Sequence, residues 1–135
     1  MAFAGLDYLA VLAAAVAGFA FGAAWYMSLG RQWMAALGKT KAELPVGLMP
    51  FVVAAVAQLV IAFVLAGAIG HLGPGNVTPA NGVLSGAILW FGFVLTTMAV
   101  NHAFQGARRT QTLIDGLHWL GVLTIQGLVI GLFGG

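Results

Sequence analysis

Residues 49–70 read MPFVVAAVAQLVIAFVLAGAIG, a stretch whose one polar side chain is Gln58 and which holds no Asp, Glu, Lys or Arg. About 20 residues at ~1.5 Å each cross the ~30 Å of hydrocarbon in a bilayer, so this segment is predicted to span a membrane as a helix. The pattern repeats outward in both directions, with apolar runs at about 7–28, 81–104 and 112–133. None of them alternates polar with apolar side chains as a barrel strand must, and a helix satisfies its own backbone hydrogen bonds in lipid. The predicted fold class is all-α integral membrane: one domain over residues 1–135, with four transmembrane helices in a bundle.

The composition agrees. The chain is 61% hydrophobic and 6% charged, whereas a soluble domain needs about a quarter charged residues to wet its surface. Eight charged side chains cannot coat a globule of 135 residues, but they can furnish the loops of a lipid-dissolved bundle. The excess of two positive charges comes with no basic, aromatic-rich stretch, so nucleic acid is not an expected partner. Cysteine is absent, which excludes disulfides and thiolate chemistry. Met1–Leu6 lacks the basic residues of a secretory signal, so the first apolar run is expected to be a retained span.

The connections carry the orientation. The first, 28–48, holds Arg31, Lys39, Lys41 and Glu43, and its QWMAAL segment (32–37) suits a short interfacial helix with Trp33 at headgroup level. The second, HLGPGNVTPA at 71–80, has no Lys or Arg. The third, 105–111, has Arg108 and Arg109. All five basic residues thus fall in the first and third connections. The positive-inside rule places those two in the cytoplasm and both termini outside.

Helical phase sorts the faces. On the fourth run Gln111, Asp115, His118, Trp119, Val122, Gln126 and Val129 share one side at 3.6 residues per turn. Gly116, Thr124, Gly127, Gly131 and Gly135 lie on another. On the third run Gly86, Trp90, Val94, Thr97, Asn101, Gln105 and Arg108 form a stripe with His102 on its shoulder. On the first, Asp7, Val11, Ala14, Gly18 and Trp25 align, with Gly22 and Tyr26 beside them. The third and fourth helices are therefore expected to turn a polar stripe towards the first. Gly18-Phe19 and Gly92-Phe93 hint at an internal repeat about an axis along the membrane normal. Small residues four apart, Gly18/Gly22, Gly82/Gly86 and Gly127/Gly131, are where helices in lipid approach closely. They serve packing within the bundle or, on the fourth helix, contact with a second copy.

Trp25, Tyr26, Asn101, His102, Asp115 and His118 all fall near the ends of their spans on the basic side, and form a candidate polar cluster. Ionisable groups inside a membrane need a partner or water. Asp115 and His118, three apart, are neighbours on one helix. The cluster can tie three helices together, with Asp115 capping the start of the fourth. It can instead line a wet vestibule for a proton-linked or small-solute path, the histidines titrating near neutrality. His102, Asp115 and His118 are also ligand types for a divalent cation, although no HxxxH or HExxH spacing is present. No catalytic pair is apparent and no cofactor is expected. Gln58 and Gln126 are expected to be interhelical hydrogen-bond partners. Asp7 and His71 are expected at the opposite interface.

The chain resembles a bacterial family known as a domain of unknown function, numbered seventeen sixty-one. The likeness lies in LAVLAAAVAGFAFGAAWY (9–26), GRQWMAALG (30–38), WFGFVLTTMAVNHAFQGAR (90–108) and a fourth span opening with Asp115, Gly116 and His118. The resemblance implies a four-helix membrane protein and assigns no catalytic residue. Three roles stay open: an accessory subunit of a larger membrane complex or a self-associating bundle, a homo-oligomeric transporter or channel, and an intramembrane metal-binding protein.

Overall fold

A computed structural model describes residues 5–134. Among them are four helices long and apolar enough to cross a membrane: Tyr8–Leu37, Met49–Gly70, Pro79–Gln105 and Arg109–Phe133. Gly135, predicted to continue the small face of the fourth helix, lies outside the described residues.

Local chemistry sets the helix ends. Asp7 caps the first helix, its Oδ1 accepting from the Ala10 backbone N–H at 3.1 Å. The helix runs 30 residues, about 45 Å at 1.5 Å per residue, and so outlasts the predicted span 7–28 by more than two turns. The QWMAAL segment is not a separate interfacial helix but the end of this one. Met, Ala, Leu and Gln favour helix, and nothing stops the chain before Gly38, whose left-handed φ of 70° ends it. Pro50 stands in the first turn of the second helix and Pro79 opens the third, where a missing N–H costs nothing. The Thr78 hydroxyl caps the third helix by accepting from the Asn81 N–H at 3.2 Å.

The fourth helix is the hub. It packs against the first, the third and, less extensively, the second. It buries Gly116, Gly127 and Gly131 as well as His118, Val122 and Gln126. The expected geometry, with the third helix facing the first, is thereby corrected: the fourth helix stands between them. Its small residues let it be central. A Cβ at Gly82 would run into the Gly127 carbonyl, one at Gly86 into that of Leu123, and one at Gly131 into that of Thr78. The glycine face of the fourth helix is thus occupied by the third helix of the same chain.

A π-helical turn, Trp90–Leu95, interrupts the third helix. The wider turn takes up an additional residue and so shifts the phase of the residues beyond it by about 100°. Gly82 and Gly86, before it, are buried, whereas Thr96–Gln105 buries nothing. Gly92 and Phe93 face outward, unlike buried Gly18, so the proposed repeat between the first and third helices is not reproduced in packing.

The two ends of the bundle are distinct. The Arg108 guanidinium donates to the Ala35 carbonyl, joining the third connection to the end of the first helix. At the other end Val77 and Thr78 abut Gly131 and Gly134. All five Lys and Arg residues therefore gather at one end.

Candidate functional site

The contact between the first and fourth helices carries most of the interior polarity. Gly18 has no side chain because two are already there. The Gln126 amide donates to Gln58 Oε1 at 2.6 Å and to the Gln58 carbonyl at 3.3 Å, and a Cβ on Gly18 would strike both side chains. As the sequence led us to expect, the two glutamines bond across helices. They also bond to each other, with Gln126 wholly buried.

One turn nearer the basic end, Gly22 plays the same part for His118. A Cβ there would sit 2.8 Å from His118 Nε2, so only glycine lets the imidazole lie on the first helix. The ring is stacked on Phe21 at 6.3 Å between centroids and flanked by Tyr26 at 4.8 Å and Trp119 at 4.6 Å. Its Nδ1 is buried and meets no hydrogen-bonding group among the described residues. Beyond it the Tyr26 hydroxyl donates to Asp115 Oδ1 at 2.7 Å, and the Trp25 indole N–H donates to the Ile114 carbonyl at 3.1 Å. Trp33 packs edge-on against Tyr26 at 5.4 Å.

Of the six candidate residues, Trp25, Tyr26, Asp115 and His118 therefore meet in one place. The other two do not join them. His102 faces the fourth helix from the third, its Nδ1 within 2.7 Å of Thr112 Oγ1, and Asn101 is exposed on the outer surface. His102, Asp115 and His118 do not converge, and no group of three His, Cys, Asp or Glu among the described residues is placed to hold a metal ion. Asp115 does not cap the fourth helix, because that helix already begins at Arg109 and the carboxylate is engaged by Tyr26. Asp7 caps the first helix, and His71, just past the second, is exposed at the same end of the bundle.

A second feature went unread in the sequence. Beyond the π turn the third helix parts from the fourth, leaving a groove of about 530 Å³. Its floor is closed by the Trp90 indole, which donates to the Gly116 carbonyl at 2.8 Å. Thr112, which meets His102 there, had no signal in the sequence, since the two belong to different helices and neither stands in a motif.

This arrangement defines a small polytopic membrane protein, a bundle assembled round its fourth helix. The model of the family described as "Protein of unknown function (DUF1761)" matches residues 9–131, and the chain belongs to that family. No curated protein and no solved structure matches it.

Proposed function

We propose that the protein works by lateral association in the membrane, as an accessory subunit of a larger complex or as a self-associating bundle, and performs no chemistry of its own. One observation carries this reading. Asn101 faces outward from the third helix, about 6 Å from its end at 1.5 Å per residue, and no group among the described residues bonds to it. Thr97 and Gln105, four residues to either side, are exposed on the same strip. An unpaired amide at this level is free to bond across to another helix, and interhelical hydrogen bonds from Asn and Gln are a recognised source of helix association. Phe104, 91% exposed, gives that surface an apolar anchor.

The transport reading has less to support it. Tyr26 and Asp115 satisfy each other, His118 is wrapped in aromatic rings, and the groove of the bundle opens on the third-helix side instead. In this proposal the basic end faces the cytoplasm and both termini the periplasm of a bacterial inner membrane, because the cationic residues of both connections gather there.

Extraction in native-lipid particles tests association. The wild-type chain is expected with itself or with a stoichiometric partner, and Asn101→Leu is expected alone at equal folded yield. One interhelical amide bond is worth about 1–2 kcal/mol in model helices, or roughly 5- to 30-fold in the association constant. A wild-type chain that is solitary in such particles would sink the idea.

A further inference from the structure

We infer that the groove between the third and fourth helices is a binding site for one anionic phospholipid, with an acyl chain along its length and the phosphate at Arg109. The walls are apolar, formed by Leu95, Ala99, Ala103, Leu113 and Leu117. A volume of about 530 Å³ lies within the range of small-molecule sites. From Arg109 to Leu117 the groove follows eight residues of helix, about 12 Å, close to half of the ~30 Å hydrocarbon thickness. It therefore spans one leaflet, from the headgroup level inward.

The polar groups stand only at the mouth, where a headgroup would lie. Arg109 lines it, and no acidic residue stands in the first turn of the fourth helix. Asp115, the nearest carboxylate along that helix, is turned to Tyr26 of the first helix. His102 holds Thr112 through Nδ1, which leaves its other ring nitrogen available at the rim. Basic residues near the membrane surface attract anionic lipids, and the apolar walls add the selectivity for a chain that a bare cationic patch lacks. The geometry is durable because Trp90 is pinned to Gly116 and the π turn keeps the helices apart above it. This site is independent of the association surface, which lies on the outer strip of the third helix.

Native mass spectrometry of the protein in mild detergent, titrated with phosphatidylglycerol or phosphatidylcholine, reads the site directly. Phosphatidylglycerol is expected as a single retained adduct, bound about 5- to 10-fold more tightly than phosphatidylcholine, as one arginine near a membrane surface implies. Arg109→Gln should bring the two lipids level. Arg31→Gln, at the same end but away from the groove, should leave the preference intact. Leu117→Trp, which fills the groove, should displace both lipids while the variant stays monodisperse. Should Leu117→Trp fail to fold, Ala99→Leu narrows the same wall with less added volume and carries the same expectation. Equal binding of the two lipids overturns the inference, as does an Arg31→Gln loss matching that of Arg109→Gln. Binding of glycerol phosphate as tight as that of the lipid overturns it too, by showing that the acyl chain contributes nothing.

Discussion

The two halves of the third helix, on either side of the π turn, behave as different objects. In Pro79–Leu89, glycines at 82 and 86 bring its backbone onto that of the fourth helix. In Thr96–Gln105 no residue is buried, and Thr97, Asn101 and Gln105 look outward. The third helix as a whole is far less buried than the fourth. In lipid, apolar side chains gain little by leaving one hydrocarbon environment for another, so close backbone approach and polar pairing decide what packs. The first half has the small residues for such an approach. In the second half Thr96 and Thr97 turn their hydroxyls back to carbonyls of their own helix and His102 meets Thr112, while the exposed Asn101 and Gln105 side chains bond to no group among the described residues.

The largest effect should come from enlarging the tight half. Gly82→Val puts branched carbons onto the Gly127 carbonyl, and overpacking of this kind costs about 3 kcal/mol or more. Folded, monodisperse protein should be largely lost in fluorescence-detected size exclusion. A wild-type profile would mean that the two backbones do not touch.

Deleting Phe93 from the π turn should restore α-helical phase and rotate Thr96–Gln105 by about 100°. The chain has no cysteine, so a disulfide between His102→Cys and Thr112→Cys reports the change. It should form in the full-length chain and fail in the deletion. Equal cross-linking in both would show that the turn does not set the phase.

Tyr26→Phe gives a benchmark from the first-to-fourth helix contact. Removing a donor from a carboxylate costs about 2 kcal/mol, read as earlier unfolding in a detergent-denaturant titration. Asp115→Asn, which keeps an acceptor, should cost less. A Tyr26→Phe variant as stable as the wild type would show that the hydroxyl contributes nothing.

Gly92→Ala provides the contrast with Gly82 inside the same helix. No atom lies within 4 Å of its prospective Cβ, so stability should change by less than about 0.5 kcal/mol. A large loss would place an unseen partner over the outer half.

The smallest effect is local and pH-dependent. Glu43 Oε1 accepts from the Thr40 backbone N–H at 3.1 Å and from its hydroxyl at 2.9 Å. The backbone bond first, then the hydroxyl, holds its carboxyl below the usual range. A carboxyl whose folded pKa is lowered favours the turn above its unfolded pKa and loses that contribution as pH falls through the folded value. Amide exchange at Leu44 should therefore quicken, relative to its intrinsic rate, on acidification. Thr40→Val, which keeps the backbone donor, should weaken that dependence and Glu43→Gln should abolish it; an unchanged acid response in Glu43→Gln would remove Glu43 as its cause.

These residues also show how much was legible in the sequence. The second helix was readable to its ends, because Pro50 and a charge-free run leave no alternative. The Gln58–Gln126 pairing was readable as a need, since an amide in hydrocarbon must bond to something, and Trp25, Tyr26, Asp115 and His118 were readable as a group. A continuous α-helical phase puts Asn101 and His102 on the wrong faces, because the segment before them contains a π turn. One additional residue in a turn carries everything beyond it to another face.

By itself the sequence determined the number of helices, the gathering of positive charge in alternate connections and the need for partners at each buried polar group. These follow from the cost of charge and unpaired backbone in hydrocarbon, which every residue meets wherever its neighbours lie. Only the tertiary structure decided that the fourth helix is central, that its glycines are spent on the third helix, and that a groove opens beside His102. Those outcomes depend on which backbones can approach within a carbonyl's width, and that is a property of pairs of surfaces and not of any one run of residues.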